Sequence, residues 1–432
     1  MIIMKWIFFF ISIIVIVITF FGFYTQLSEV KPSIYWINFK PESDKILQKL
    51  AQQYQERTGR NVKILTPEPG TYSETLDQEM QKSSPPTLFI VSGQDSLKKY
   101  NDSFYDLRNT KIAEELNTDN FNLYTDDNKL AAIGYCYETF GIITNLELLE
   151  KSGHTIDEIK DFDSLKKIAE HIHANSKKLG FDAFTSSGLN PSSSWRFSGH
   201  LTNIPLYYES RDDNWKETPP TIKCTYLNNY KNVWDLYIKN SPYQPDTLIS
   251  GEYNAGEEFG NKQSVFYQNG NWEYDALVNT YNLNPQTLTM IPFYSGVKGE
   301  ENAGLNSGTE NYWAVNGKAS KNDIEATLEF MYWMVTDSVA TKILAKTFGS
   351  MPFKKAAKPE NVFLAKAQQY TDEGKYIMTW AFNFTPNQDE WRKDVVTALF
   401  EYSKNNSEEN WNKVKQAFIQ GWEKQYNILK EM

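Results

Sequence analysis

The chain has 432 residues, more than one simple core holds, so two domains is the natural division. Its formal net charge of −10 argues against nucleic acid, whose phosphates call for stripes of Lys and Arg, and against anionic ligands in bulk. The aromatic share, 15% with twelve tryptophans, is large for a globular protein and asks for a use beyond packing.

The chain opens on "MIIMKWIFFFISIIVIVITFFGFY". The apolar run from Trp6 to Tyr24 makes roughly 28 Å of helix, enough to cross a bilayer core. No A-x-A cleavage pattern follows. Residues 1–31 therefore read as a hydrophobic helix, either a retained signal-anchor or a cleaved signal peptide. Lys5 before the run places the rest of the chain outside the cell.

Strand and helix then alternate. "SIYWINF" (33–39) is β-branched and aromatic. In "SDKILQKLAQQYQERTG", Ile46, Leu47, Leu50 and Tyr54 mark one helical face and Gly59 ends it. "VKIL" (62–65) and "TLFIV" (87–91) read as further strands, the latter continuous and apolar like a buried parallel strand. The alternation predicts a parallel α/β sheet. Two strand-like runs, 130–137 and 140–144, precede a helix, and "FDSLKKIAEHIHANSKKLG" predicts another.

Residues 182–260 look irregular. "SVFYQNGNW" is a strand running into a turn that carries Trp272, where water reaches the largest apolar side chain. Gly270 is expected in the left-handed conformation there, with Asn271 capping the next helix. In "KNDIEATLEFMYWMVTD", Ile324, Leu328, Met331 and Val335 keep helical spacing and predict core. Near the C-terminus Trp411, Val414, Phe418 and Trp422 form a stripe that reads as packing rather than a cofactor site.

Cys136 and Cys224 are either bridged or two inert thiols. His171 and His173 are two apart on a predicted helix and face different ways, so with His154 and His200 they predict no metal site. No cofactor is predicted. Neither G-x-S-x-G nor H-E-x-x-H occurs and no acid/base carboxylate pair stands out, so the chain reads as a binder, not an enzyme.

Three stretches in order carry a resemblance. "GYCYETFGIITNLELLEKSG" is similar to a glycine/tyrosine-rich crossing strand followed by a "YNKDLLEKAG" helix. "EFGNKQSVFYQNGNW" is similar to F-x-x-G-K-x-A-M-x-x-x-G-x-W, with Phe259, Gly270 and Trp272 at the family spacing, Lys262-Gln263 in place of Gly-Lys and Phe266 in place of Met. "LNSGTENYWAVNGKASKNDIEATLEFMYWMVTDSVATKILAKTFGSMPFKK" resembles a Gly-rich crossing strand, a helix and a "G.mP" turn. Over residues 33–432 the chain resembles the family 1 extracellular solute-binding proteins of ABC importers, the group of the maltose-binding proteins. A lipidated cysteine common in Gram-positive members is missing after the apolar run, and the N-terminal helix would replace it as the tether.

The resemblance implies a two-lobed α/β fold of the type II binding-protein kind. The expected lobes are 32–138 with 303–345, and 139–302 with 346–432, with the ligand in the cleft between them. It also implies a sugar or oligosaccharide ligand, delivery to ABC permease subunits, a monomer, and a place on the outer face of the cell membrane. Binding a sugar takes flat aromatic surfaces for its C–H faces and hydrogen-bonding groups for its hydroxyls.

In the family the tryptophan matching Trp272 stacks on ligand, and a glutamate matching Glu138 binds hydroxyls. Glu138 in an apolar strand is also out of place as packing. Asp95 lies beyond the carboxyl end of a strand, where open α/β sheets bind ligands. Trp36, Asn38 and Lys40, in the loop after the first strand, follow by the same logic. Trp391 matches a late sugar-stacking tryptophan, with Trp380 as its competitor, and Trp195 lies in the family's variable specificity region. A polyamine binder on the same scaffold, a sensor subunit and a glycosidase are the alternatives.

Overall fold

Short apolar strands begin where the aromatic and β-branched runs do. The computed structural model describes residues 34–68, 70–119, 121–190, 193–243 and 254–431, and the hydrophobic helix expected over 1–31 lies outside them. Strands β1 (Ile34–Ile37), β2 (Val62–Leu65) and β3 (Leu88–Val91) sit in one sheet with β4 (Asn122–Tyr124), β5 (Leu130–Gly134) and β11 (Tyr312–Val315). The order is β2-β1-β3-β11-β5-β4. β1 runs parallel to β2 and β3, pairing Ile34 with Val62 and Trp36 with Leu88. The sheet is mixed rather than parallel throughout, because β11 lies antiparallel between β3 and β5. The cause is topological: the chain leaves this sheet after β5, builds a second unit, and returns as β11.

That second unit is a sheet ordered β12-β10-β6-β8-β7, with β9 also paired to β6. Its strands are β6 (Glu138–Asn145), β7 (Asp182–Phe184), β8 (Ser264–Gly270), β9 (Leu288–Ile291), β10 (Ala303–Gly308) and β12 (Tyr376–Met378). Each sheet has its own apolar core. The lobe boundaries fall elsewhere than expected. Residues 303–308 belong to the second sheet, where β10 pairs β6 and β12. Phe348, Met351 and Phe353 close the first core rather than the second. The crossing segments are tied together: Tyr135 N–H donates to Asn311 O (3.4 Å) and Tyr137 N–H to Ser350 O (2.6 Å).

The stretch 182–260 is more regular than its composition implies. Helix Leu227–Lys239 buries Tyr230, Trp234 and Tyr237 at helical spacing, so much of that aromatic content is core. The C-terminal stripe Trp411, Val414, Phe418 and Trp422 is buried against it. Cys136 sits in the first core and Cys224 in the second, both as free thiols.

Candidate functional site

The site starts with the loop that follows β1. Asn38 is fully buried and spends its amide locally: Nδ2 donates to Lys40 O (2.7 Å), Ser43 Oγ (3.2 Å) and Thr66 Oγ1 (3.1 Å). Lys40 N–H donates back to Asn38 Oδ1 at 3.2 Å. Asn38 thus fixes the loop that aims Lys40.

Lys40 Nζ donates to Glu138 Oε1 at 2.7 Å, and Glu138 is 2% exposed. Glu138 opens β6, where the chain passes from one lobe to the other. Burial pulls the Lys40 pKa down, but the carboxylates of Glu138 and Glu42 and the Cys136 sulfur outweigh it and hold the ammonium above its ordinary value. Cys136 Sγ lies 3.7 Å from Glu138 Oε2, and burial first, then Glu138, pushes that thiol well up. A buried pair like this contributes little net stability while both partners are present, and leaves an uncompensated charge when one is removed. It fixes two charges at the cleft.

The opposing surface is aromatic. Gly270 does not take a left-handed conformation; its φ is −119°. Glycine is needed because a Cβ would meet the Trp272 ring at 2.2 Å, so the indole folds flat over this backbone. Asn271 does not cap a helix either. Its Oδ1 accepts from Thr139 N–H at 2.7 Å, pinning the turn to β6, and its carbonyl accepts from Asn361 Nδ2 at 2.9 Å.

Trp272 stays half-buried, 6.0 Å from the Trp195 ring and 5.2 Å from His200, and Lys40 Nζ stands 6.0 Å from its centroid. Trp195 and His200 bracket a π-helical turn, Arg196–His200, a distortion common at functional sites. Arg196 clamps that turn onto β8, donating to Gln268 O (3.2 Å) and Ser186 O (3.1 Å). His200 stacks on Phe140 at 4.3 Å, with Trp380 at 6.1 Å. Burial, with the positive charges of Arg392 and Lys40, lowers the His200 pKa to about 3, so the ring is neutral.

Lys40, Glu138, Trp195 and Trp272 therefore converge. Two predicted tryptophans do not reach the cleft. Trp36 is fully buried in the first lobe, edge-on to Trp313 (6.0 Å) and Phe330 (6.4 Å). Trp391 is fully buried in the second, donating Nε1–H to Phe418 O at 3.0 Å and packing on Trp422. Both are core residues. Trp380, the competitor of Trp391, is also buried and lies 6.1 Å from His200, behind Trp272 and Trp195 at 5.2 and 5.0 Å. Asp95 lies in the first turn of helix Gly93–Lys99, and its side chain is outside the described ones.

Sequence reading missed His200, Glu310 and Arg392. Arg392 follows the core Trp391, and one helical step turns it toward the cleft, where Nε donates to Ser198 Oγ at 3.2 Å. Glu310 sits on the return crossing, among Glu138, Lys40 and Arg392. The lobes also touch directly. A Cβ on Gly93 would lie 3.3 Å from Asn383 O, and Lys346 of the first lobe reaches Asp275 of the second at 3.0 Å.

The chain matches a known family. The family model described as "Bacterial extracellular solute-binding protein" matches residues 49–372, well over half of the chain. The chain belongs to the bacterial extracellular solute-binding proteins. Among solved structures, the binding protein RafE in complex with raffinose aligns with TM-score 0.69 and 15% identity, over 92% of this chain and 99% of that one. A family 1 extracellular solute-binding protein from Bifidobacterium longum subsp. infantis aligns with TM-score 0.60 and 16% identity, over 90% and 97% of the two chains. A sugar transporter protein from Bacillus licheniformis in complex with stachyose gives TM-score 0.63 and 15% identity over 90% and 99%. At such identities the likeness establishes the fold of this solute-binding protein. A search of curated protein sequences found no match.

Proposed function

We propose that this solute-binding protein captures a sugar or oligosaccharide outside the cell and delivers it to an ABC permease. The observation that carries this reading is Trp272. It is a half-exposed indole laid over Gly270, grouped with Trp195 and His200, and it faces a buried Lys40–Glu138 pair. An indole face fits the C–H face of a sugar ring. A fixed ammonium and carboxylate fit its hydroxyls, which are costly to bury without partners.

Raffinose and stachyose in the fold's solved relatives support the same ligand class. The site binds and releases, and closure follows from contact with both lobes at once. Trp272, Glu138, Lys40 and Trp195 are the proposed ligand contacts, and Asp95 is proposed with them on the strength of its position after β3. The N-terminal hydrophobic segment is the proposed tether.

Titration calorimetry against a panel of mono- and oligosaccharides, with spermidine beside them, tests the reading. Heat with at least one saccharide, lost in Trp272→Ala, is expected. Heat with spermidine alone would overturn it in favour of a cation binder, and cleavage of an incubated oligosaccharide would overturn the binding-only role.

A further inference from the structure

The return crossing holds a carboxylate, Glu310, that no described residue pairs with. The backbone beside Glu310 is tied down, while the buried Asn311 side chain next to it has no partner among the described residues. Asn383 Nδ2 donates to Thr309 O at 2.9 Å, Tyr312 OH donates to the same carbonyl at 3.3 Å, and Asn311 N–H donates to Thr309 Oγ1 at 3.4 Å. On the other side Gly308 lies against the Trp380 ring, which stands 2.9 Å from where a Cβ would be. The backbone is held from both lobes.

The Glu310 side chain, recessed but still reaching solvent, has among the described residues neither a hydrogen bond nor a cation within 4.0 Å. Four charged groups face it: Glu138 from β6, Lys40 from the loop after β1, and Arg392 and Asp389 from helix Gln388–Lys404. Both cations are already engaged, Lys40 by Glu138, and Arg392 by Ser198 and Asp389. An unpaired carboxylate on a rigid segment between two lobes is costly to keep, and a ligand carrying donors would satisfy it.

We infer that Glu310 is a ligand-gripping, specificity-determining residue that accepts two neighbouring hydroxyls of the bound sugar through its ionised carboxylate. The inference rests on the saccharide reading above and adds to it a pH dependence. Burial first, then the Glu138 charge, raises the Glu310 pKa to about 7 despite Lys40 and Arg392. Hydroxyl donors favour the ionised form, so binding draws on the fraction ionised beforehand. His200, neutral down to about pH 3, does not titrate in the same range. Affinity therefore rises with pH, and at pH 6 it is about tenfold weaker than at pH 8, the factor by which the competent form is depleted.

The test compares wild type and Glu310→Gln by calorimetry with the best saccharide of the panel between pH 5.5 and 8.5, and by thermal unfolding without ligand. The amide variant is expected to bind weakly with a flat pH profile. Without ligand, the raised folded-state pKa means that wild type loses stability as pH rises from the ordinary carboxylate range to about 7. Glu310→Gln should therefore unfold at higher temperature than wild type at pH 8 and at the same temperature at pH 4. Tight wild-type binding independent of pH, or Glu310→Gln retaining the wild-type profile, overturns the inference while leaving the saccharide reading standing. No saccharide binding at all overturns both, and the ligand-free unfolding comparison then tells whether the unpaired carboxylate exists and only the ligand class was misread.

Discussion

The two walls of the cleft are built from opposite materials. On the side of the first lobe the side chains are charged and tied down: Asn38 holds the loop, Lys40 reaches Glu138, and the pair is buried. On the side of the second lobe they are aromatic and partly open, with Trp272 and Trp195 half-buried and His200 neutral between them. The first wall gives direction, because a buried ammonium and carboxylate accept only matched hydrogen-bond partners. The second gives area, because indole faces offer large contact with few rotors to freeze. The proposed sugar, with polar edges and apolar faces, would be satisfied by both.

The division breaks most visibly on the charged side. Glu138→Ala strands the Lys40 ammonium in the interior and should cost about 3–5 kcal/mol of folding stability, read as a lower denaturant midpoint. The double variant Lys40→Met/Glu138→Leu removes both charges and should recover most of that stability without restoring ligand binding. A Glu138→Ala protein as stable as wild type would mean that the pair is not buried as described.

The aromatic side should respond the other way. Trp272→Ala removes a contact face rather than a core residue, so it should cost ligand affinity by about 2–4 kcal/mol and stability by no more than about 1–2 kcal/mol. Trp391→Ala, in the core of the same lobe, should show the reverse, with about 3–5 kcal/mol lost from folding. Equal stability losses at Trp272 and Trp391 would put both indoles inside the lobe and remove the aromatic wall.

Between these lies Gly270. A methyl there must displace the Trp272 ring, since its Cβ would stand 2.2 Å from the ring carbons. Gly270→Ala should cost about 1–3 kcal/mol, as overpacking does, divided between stability and ligand affinity. Intrinsic fluorescence reports whether the indole has moved, and an unchanged emission with unchanged affinity would show the turn to be more yielding than its geometry implies.

These contrasts mark what the sequence could convey. The strands β1 to β3, the stripe Trp411–Trp422 and the anomaly of Glu138 in an apolar run were legible because periodicity and misplaced charge are local signals. Trp36 and Trp391 misled for the same reason. Position beside a strand end or in a motif does not say which way an indole points, and Trp391 differs from the cleft-facing Arg392 by one helical step. Gly270 and Asn271 stand out in the sequence, but the cause lies in contacts with Trp272 and β6 that no local pattern encodes. Glu310 carried no signal: its role depends on Lys40, Glu138 and Arg392 arriving from distant parts of the chain. The lobe boundary at β10 is likewise set by pairing with β6 and β12.

The smallest expected effect tests how the walls are brought together. Lys346 and Asp275 pair across the lobes at 3.0 Å, with side chains 60% and 53% exposed. Such a pair is screened and immobilises the long lysine side chain, so it contributes about 0–1 kcal/mol to holding the lobes together. Lys346→Gln should therefore weaken ligand affinity by no more than about fivefold at low salt, and by less as salt is added, because screening already weakens the pair in wild type. The same variant should leave folding stability within about 0.5 kcal/mol, since neither side chain supports a core. A larger, salt-insensitive loss of affinity would place Lys346 at the ligand rather than at the rim, and the cleft would then have a second cation on its charged side.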